Sequence, residues 1–587
     1  MTEKIDWSVL SGPRVSRRTM MRLALATGAV PFASWLAACG DDDDDEPTEA
    51  TGGEATNTPG TSGGEATDTP GSGASEPTAT SGQAVSGTAA AATPTISGEA
   101  QTGGELTIGF GGLSQILTLD PAMVTQGIVA GQLIANLFSS LVQFDENLGL
   151  IADLAEDWTV SEDGTEYTFT LREGLTFHNG DPLVAEDFVY TFERNTDETL
   201  ASPHANKLAN VAEIVADDEL TLRIVLNDPF APFLAVACSR GPGRALTPIP
   251  RSVIEEIGNE EFGVEPVGCG PFMYVQGTNQ GGQGFEMVAF ENWYGGRPYL
   301  DKITIEVIPD PTSQVSALEA GDIDFLNLVP DSGLEIVQAN DELTLVEAPG
   351  TNWTGLTMNY TRPPWDQLEA RMAVAKAIDR QGYIDTAFFG IGTPAHSAIA
   401  PAFGWVYHAD PGDDPQAYNL DEAKALAETA GLNGLIVNIM ALSDDPRTRE
   451  VIRTQLAEIG LDVVIEPLQS AALNERWMAG DFDLHINGSV VDADPDDGHF
   501  NFFYSEGPWN VYGYNNPEAD RLIDLTRTTS QGEERTQAWL DLERVLQEDV
   551  AYAFLNHTPD QLAFYNYVQG YRPIPEIRHL EVVWRSE

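Results

Sequence analysis

Basic residues are scarce in this chain. Its 587 residues include 30 Lys and Arg against 91 Asp and Glu, which gives a formal net charge of -61 and a sequence pI near 4.1. A surface this acidic repels the phosphates of nucleic acid, so we exclude nucleic acid as a partner. The same charge balance is compatible with a salty or acidic setting, and it identifies no ligand.

Cysteine and chelating histidine are also rare. The three cysteines do not have the spacing of a four-ligand metal site. His396, His408 and His499 have no chelating spacing, which argues against directly ligated nickel. We therefore predict no metal site and no cofactor.

Catalytic motifs are missing from the sequence. It contains no GxSxG elbow, no HExxH pair and no P-loop. Scattered acidic residues could be imagined as a glycosidase pair, but no pattern selects one. We predict that the protein is not an enzyme.

The N-terminus has the features of an export signal. Residues 16–22 (SRRTMMR) form a twin-arginine motif, and an apolar run follows at 23–38. The run is short for a membrane span and ends in LAAC, which looks like a lipobox with its lipid on Cys39. We interpret residues 1–39 as a twin-arginine lipoprotein signal, the alternative being an uncleaved anchor. Either interpretation places the rest of the chain outside the cytoplasm, in the periplasm or at the cell surface, tethered to a membrane.

Residues 40–103 have a different composition. An acidic run at 41–45 is followed by GGEAT and TPG repeats, with no aromatic residue and no Lys or Arg. Such a segment cannot bury enough apolar surface to offset chain entropy. We predict a disordered acidic linker rich in Gly, Thr, Pro and Ser.

The globular part contains a clear hairpin and helix pattern. Residues 167–171 (YTFTL) alternate apolar with polar side chains, the period of a half-buried strand. Glu162, Asp163 and Gly164 form a tight-turn signal, so two strands are expected to meet there. After a second turn, apolar side chains recur at helical spacing, at Ala185, Phe188, Val189 and Phe192.

The residues in and around this hairpin resemble a known signature. The motifs that carry it are LAEDW (154–158), DG (163–164), YTF (167–169), LREG (171–174) and FHNG (177–180), with PVGCGPF (266–272) and NWYGGRPYL (292–300) further on. Together they resemble the family 5 extracellular solute-binding proteins, the peptide/nickel-binding group that feeds ABC importers. The resemblance covers nearly all of residues 105–587.

The resemblance implies an α/β fold of the two-lobed periplasmic-binding-protein type (cluster C, type II-like), with an extra inserted subdomain and a hinged cleft. The first lobe would comprise residues 104–148, 263–350 and 551–587. The inserted subdomain would cover 149–262, and the second lobe 351–550. In this arrangement a ligand contacts both lobes and favours the closed form.

A loop in the second lobe provides the first candidate ligand residues. In peptide-binding members, an Asp in a similar loop pairs with the free amino group of the ligand. Here the predicted strand 483–486 is followed by the loop 487–498 (NGSVVDADPDDG). Asp492 is the first choice for that role and Asp494 the second. The alternative is that these acids form turns and helix caps.

Aromatic and polar residues complete the candidate site. Trp353 lies at the predicted crossing between lobes, and Trp405 and Tyr407 lie in a loop rich in Pro and Gly. Trp and Tyr rings can stack on peptide side chains or sugars, although each ring could equally be a core residue. Thr125 and Gln126, at the start of the first-lobe helix expected at 125–141, are the remaining candidates.

One departure from the family bears on the ligand. Dipeptide-binding relatives have an arginine in the loop after the strand that corresponds to 435–440, where it holds the ligand carboxylate. This chain has Ser443, Asp444 and Asp445 there, and Arg447 and Arg449 follow on a predicted helix. Longer peptides, whose far carboxylate needs no fixed partner, fit this sequence better than dipeptides.

The expected function is that of a monomeric substrate-binding lipoprotein that delivers peptide-like solutes to an ABC permease and ATPase complex. An oligosaccharide or nickel-chelate ligand, or a sensing role in place of import, is the alternative.

The two cysteines that remain after Cys39 are Cys238 and Cys269. Because an extracytoplasmic compartment is oxidising, we expect them to form a disulfide that staples one lobe. The alternative is two separate buried thiols.

Overall fold

The computed structural model describes residues 100–279, 281–408, 412–442, 447–490, 494–530 and 532–586. The predicted signal, the lipobox cysteine Cys39 and the linker lie outside these residues, as does Asp492. All described residues fall in one compact unit.

The strands of the described residues are numbered in chain order. They are β1 (Glu105–Phe110), β2 (Val142–Phe144), β3 (Leu150–Ala152), β4 (Ala155–Val160), β5 (Glu166–Leu171), β6 (Val211–Ala216), β7 (Thr221–Leu226), β8 (Phe272–Tyr274), β9 (Gly284–Ala289), β10 (Lys302–Val307), β11 (Phe325–Leu326), β12 (Leu343–Ala348), β13 (Asn352–Met358), β14 (Thr393–Pro394), β15 (Ile436–Leu442), β16 (Asp462–Leu468), β17 (Leu484–Val490), β18 (Ala553–His557), β19 (Asp560–Tyr565), β20 (Val568–Gln569) and β21 (Trp584–Arg585).

The first helix, α1, consists of Gly127–Val129, a π-helical turn Ala130–Ile134 and Ala135–Leu137. The other α-helices are α2 (Ala185–Thr196), α3 (Phe233–Cys238), α4 (Arg251–Phe262), α5 (Pro311–Ala320), α6 (Leu334–Gln338), α7 (Leu368–Ala377), α8 (Arg380–Ala387), α9 (Leu420–Thr429), α10 (Arg447–Ala457), α11 (Ser470–Met478), α12 (Asp496–Phe503), α13 (Pro517–Thr528) and α14 (Glu533–Asp549). Short 3₁₀ turns occur at Ala205–Leu208, Arg244–Leu246 and Asp331–Gly333.

Two large sheets and one smaller sheet organise the molecule. The seven-stranded sheet has the order β12-β19-β11-β1-β10-β9-β8, and the six-stranded sheet has the order β14-β18-β13-β17-β15-β16. Both contain parallel and antiparallel pairs, with helices between the strands, so the protein is a two-lobed α/β structure. A four-stranded antiparallel sheet, β4-β5-β7-β6, stands apart from both.

The four-stranded sheet contains the hairpin predicted from the sequence. β4 and β5 pair antiparallel across the turn at Gly164, whose φ of 71° suits a residue without a Cβ. Tyr167, Phe169 and Leu171 are buried in β5 and alternate with more exposed residues. Phe188 of α2 packs in the same cluster, so the predicted strand–turn–helix pattern is confirmed.

The chain passes from the seven-stranded to the six-stranded sheet between β12 and β13, and it returns between β18 and β19. The second passage lies between His557 and Asp560, later than the predicted boundary at residue 551. The reason is that β18 pairs with β13 and β14, so it completes the second sheet before the chain leaves it.

One hydrophobic cluster joins segments from different parts of the chain. Its buried members include Ala135, Phe144 and Leu148 from the first part of the chain and Trp353 and Phe403 from the later part. Apolar side chains therefore fill the space between these two parts of the chain. No helix among the described residues has the length and apolar composition needed to cross a membrane.

Candidate functional site

Trp353 lies in the core and not at an open cleft. Only 1% of the residue is exposed, because β13 is a central strand that pairs with both β17 and β18. Its ring stacks on Phe503 with centroids 5.5 Å apart and meets Tyr552 edge-on at 5.1 Å. The observed contacts of Trp353 are therefore packing contacts.

The loop expected at 487–498 is shorter than predicted. β17 continues to Val490 and pairs residue by residue with β13, so Asn487 and Gly488 belong to the strand. The local sequence predicts a loop at these two residues. Gly488 is needed because an added Cβ would lie 1.8 Å from the Trp353 carbonyl oxygen.

Asp494 is buried, and its carboxylate is already engaged. Its Oδ1 accepts a hydrogen bond from Arg535 Nη2 at 2.8 Å and another from the Asp496 backbone N–H at 3.0 Å. This carboxylate holds the start of α12 and an arginine of α14, so its observed contacts are structural. The bond to the Asp496 N–H is a turn contact, as expected if this acid is a turn former.

Trp405 and Tyr407 are both partly buried. They lie in the loop that follows β14, residues 395–408 (the Trp405 loop). The Arg535 guanidinium carbon lies 5.5 Å from the centroid of the Trp405 ring. Tyr407 meets the His557 ring edge-on at 6.1 Å, and burial raises the pKa of its hydroxyl. The structure thus brings Trp405 to the same arginine that binds Asp494.

Thr125 and Gln126 precede α1 in the other lobe. Thr125 is exposed. The side chain of Gln126 donates to the Gln115 carbonyl and accepts from the Leu117 N–H, both at 2.9 Å. The observed contacts of Gln126 therefore hold a neighbouring loop, and its role towards a ligand stays a prediction.

The helices α12 to α14 bury several charges beside Trp405. His499 Nε2 contacts Glu543 Oε1, and Glu543 Oε2 accepts from the Ala398 N–H at 2.9 Å. Burial raises the pKa of Asp496 to about 7, although Arg527, 3.2 Å away, opposes the shift. Glu543 therefore connects the Trp405 loop to both α12 and α14.

His557 provides an uncharged polar group in the same region. Its Nδ1 lies 2.8 Å from the Asn352 carbonyl oxygen, and burial lowers its pKa to about 4. A neutral ring that donates from Nδ1 to a carbonyl leaves Nε2 as an acceptor. Within the described part of the chain, that Nε2 has no hydrogen-bond partner.

A cavity of about 230 Å³ lies between the Trp405 loop and α14. Its lining comprises His396, Ser397, Ile399, Val406, His408, Asp413, Leu540, Glu543, Arg544 and Gln547. Sequence reasoning considered these histidines only as nickel ligands and missed the cavity, because its walls come from segments more than 100 residues apart. Across the described ranges, no group of three or more His, Cys, Asp or Glu side chains is placed to hold a metal ion.

Arg447 and Arg449 follow the segment 443–445, where the sequence departs from the dipeptide-binding relatives. Both contact other residues of the protein. Arg449 is buried in α10 and donates to the Ile486 carbonyl at 3.3 Å and to Thr448 Oγ1 at 2.8 Å. The Arg447 guanidinium lies 4.9 Å from the Phe389 ring. Residues 443–445, where relatives have the arginine, lie outside the described residues.

The predicted disulfide is not formed. Cys238 and Cys269 are both free, buried thiols in the structure. Cys269 Sγ lies 3.5 Å from the Ser139 nitrogen and 3.7 Å from its carbonyl oxygen, so it packs against backbone. Both thiols belong to the apolar cluster of the four-stranded sheet, which corresponds to the alternative of separate buried thiols.

Comparison with known proteins decides the family. Residues 149–511 match the model of the bacterial extracellular solute-binding proteins, family 5. The chain belongs to this family. The match covers more than half of the chain and includes the hairpin, β13 to β17 and α12.

Similar proteins extend the likeness over most of the globular part. The oligopeptide-binding protein AppA of Bacillus subtilis is 25% identical over 516 residues, which are 83% of this chain and 92% of that protein. Heme-binding protein A of Haemophilus influenzae is 27% identical over 490 residues, 78% of this chain and 88% of that protein. The solved structure of the periplasmic binding protein DppA of Helicobacter pylori with the peptide STSA has a TM-score of 0.65 and 25% identity, covering 83% of this chain and 99% of that one.

Proposed function

We propose that this family 5 protein captures oligopeptide-like solutes between its two lobes and delivers them to an ABC permease and its ATPase. The observation that carries the proposal is the cluster beside the six-stranded sheet, where Trp405, Tyr407 and His557 lie together with buried charges. Peptides need aromatic surfaces for their side chains and uncharged polar groups for their amides. Peptide ligands in the names of two of the relatives described support this choice.

Asp492 stays our candidate for the ligand amine. In the sequence it lies two residues before Asp494, which accepts a hydrogen bond from Arg535. A carboxylate in this place would form a charge-assisted hydrogen bond with an N-terminal ammonium group. The ligand's far end would need no fixed cation, which favours oligopeptides over dipeptides.

The proposal also covers export, membrane attachment and domain organisation. Residues 1–39 would direct export and leave a lipid on Cys39, and residues 40–103 would be the linker between membrane and binding domain. The globular part would act as a monomer. Its first lobe would be built around the seven-stranded sheet, its second around the six-stranded sheet, and residues 149–262 would form an inserted subdomain.

Calorimetric titration with a defined pentapeptide of alternating alanine and glycine tests the proposal. We expect binding to the full-length protein, and a loss of at least about tenfold in affinity when the peptide is N-acetylated, since a charge-assisted hydrogen bond is removed. The Asp492→Asn variant should lose affinity for the free peptide and no longer distinguish the acetylated one. Equal binding of both peptides to the wild-type protein would contradict the amine role.

A further inference from the structure

Arg535 lies where three segments of the chain meet. It belongs to the first turn of α14, and its side chain is completely buried. Nη2 donates to Asp494 Oδ1 at 2.8 Å, and Nε donates to the Thr526 carbonyl at 2.7 Å. These two bonds, made by different nitrogen atoms to different acceptors, fix the plane of the guanidinium group.

The same guanidinium is close to two indole rings. Its central carbon lies 5.5 Å from the centroid of the Trp405 ring and 5.8 Å from that of Trp539. Both distances are within the range of cation–π attraction. A planar guanidinium can donate hydrogen bonds along its edges while aromatic rings approach it, which a lysine ammonium cannot reproduce.

One donor of this arginine is unsatisfied. Nη1 is buried and has no hydrogen-bond partner among the residues that the structure describes. Leaving a buried donor unpaired is costly, and a fully hydrogen-bonded arrangement is the rule in protein interiors. The contacts with Asp494 and Trp405 therefore fix the side chain at the expense of one hydrogen bond.

We propose that Arg535 is a positioning residue of the ligand site, which holds the Trp405 loop against the segment that begins at Asp494. The inference rests on the proposed function, because it assumes that the ligand contacts Trp405. Arg535 itself is too deeply buried to be a ligand contact. Its task is to keep the separation of two loops constant, so that a ligand can touch both without first ordering them.

Arg527 is a natural control for this role. It lies on α13 and pairs with Asp496 at 3.2 Å, so it too joins a helix to the start of α12. Its guanidinium contacts the rings of Phe500 at 3.9 Å and Phe230 at 5.3 Å. Changing Arg527 removes a comparable ion pair and leaves the contact between Arg535 and Trp405 in place.

Fluorine NMR of the full-length protein labelled with 5-fluorotryptophan tests the inference without any ligand. The Trp405→Phe variant assigns the Trp405 signal. We expect Arg535→Gln and Arg535→Lys to shift or broaden that signal, because both lose the planar contact, and Arg527→Gln to leave it unchanged. Arg535→Lys keeps a positive charge beside Asp494 and serves if Arg535→Gln does not fold. An unmoved Trp405 signal in the folded Arg535 variants would overturn the inference.

The pentapeptide titration adds the functional arm. We expect Arg535→Lys to weaken binding by about tenfold and Trp405→Phe to add little further loss in the Arg535→Lys background, since coupled residues are not additive. Independent, additive losses would overturn the positioning role. If the wild-type protein does not bind the pentapeptide at all, the proposed function fails, while the NMR result still decides whether Arg535 positions Trp405.

Discussion

Two buried arginines, Arg240 and Arg535, differ in how their side chains are hydrogen-bonded. Arg240 donates from Nη1 and Nη2 to the two carboxylate oxygens of Glu581, at 2.9 and 3.2 Å, and from Nε to the Ala135 carbonyl. Arg535 makes a single bond to Asp494 and one to a carbonyl, and it leaves Nη1 unpaired. All three guanidinium nitrogens of Arg240 therefore donate hydrogen bonds to the scaffold. Arg535 combines a weaker set of bonds with a contact to a half-buried tryptophan.

The acids around the two arginines extend this contrast. Near Arg240, burial raises the pKa of Asp153 to about 6, while the arginine and a hydrogen bond from Tyr294 oppose the shift. Near Arg535, burial raises the pKa of Asp496 to about 7. The groups that oppose the shift differ: they are Arg240 and the Tyr294 hydroxyl at Asp153, and the two arginines Arg527 and Arg535 at Asp496. Under the proposed function, the first cluster serves stability and the second belongs to the ligand site.

The largest expected effect comes from Arg240→Met. It would leave the carboxylates of Glu581 and Asp153 buried without their cation, and we expect a loss of about 3–5 kcal/mol in the free energy of unfolding. Urea unfolding measures the loss. The control is Arg251→Met, because Arg251 pairs with Glu255 on the surface, where an ion pair contributes little to stability. Similar losses in the two variants would remove the contrast between scaffold and surface.

Variants of Trp353 and Trp405 distinguish a core residue from a residue of the proposed ligand site. Trp353→Leu should cost about 2–4 kcal/mol of stability, because it opens a cavity among packed aromatic rings. Trp405→Phe should cost about 1 kcal/mol or less and weaken pentapeptide binding instead. Urea unfolding and calorimetry together check both statements. A stability loss for Trp405→Phe as large as that for Trp353→Leu would place both rings in the core.

The raised pKa of Asp496 predicts a pH effect. Because the folded protein holds this proton more tightly than the unfolded chain, the group adds stability below about pH 4 and loses that contribution as the pH rises through about 7. Asp496→Asn should therefore gain stability relative to the wild type progressively between about pH 4 and about pH 8.

Unfolding midpoints across that range measure the difference, which cancels the background from buried histidines such as His557, whose pKa is lowered. Asp497→Asn is the matched control, because Asp497 is the exposed neighbour. The same pH trend in both variants would rule out burial of Asp496 as the cause.

The smallest expected effect concerns the thiols beside the Arg240 cluster. Since Cys238 and Cys269 are free and buried, a reductant should leave the unfolding midpoint unchanged. Both thiols should react with a thiol reagent only after denaturation. A midpoint that falls by several degrees on reduction would instead show that the two cysteines are bridged in solution.

Much of the local structure follows from the sequence. The sequence pattern predicts helices at 312–320 and 368–378, and the structure has them at Pro311–Ala320 and Leu368–Ala377. An Asn before a helical pattern predicts a cap, and Asn419 does cap α9, accepting from the Glu422 N–H at 3.2 Å. Hydrophobic period and capping chemistry act within a few residues, so they can be read from one sequence.

Features that depend on contacts between distant parts of the chain could not be predicted from local patterns. Asn487 and Gly488 have the composition of a turn, but pairing with β13 extends β17 through them. The hydrogen bond between Asp494 and Arg535 joins residues 41 positions apart, and no local sequence pattern predicts it. For the same reason Trp353 could not be distinguished from a cleft residue, since only the neighbours of β13 show that it is a central strand.

Native mass spectrometry of the full-length protein, purified without refolding, tests the central claim most directly. It weighs any ligand that co-purifies. The account predicts a series of peptide masses that is lost in the Asp492→Ala variant. A single sugar or metal-chelate mass, retained in that variant, would contradict peptide binding while leaving the family and fold intact.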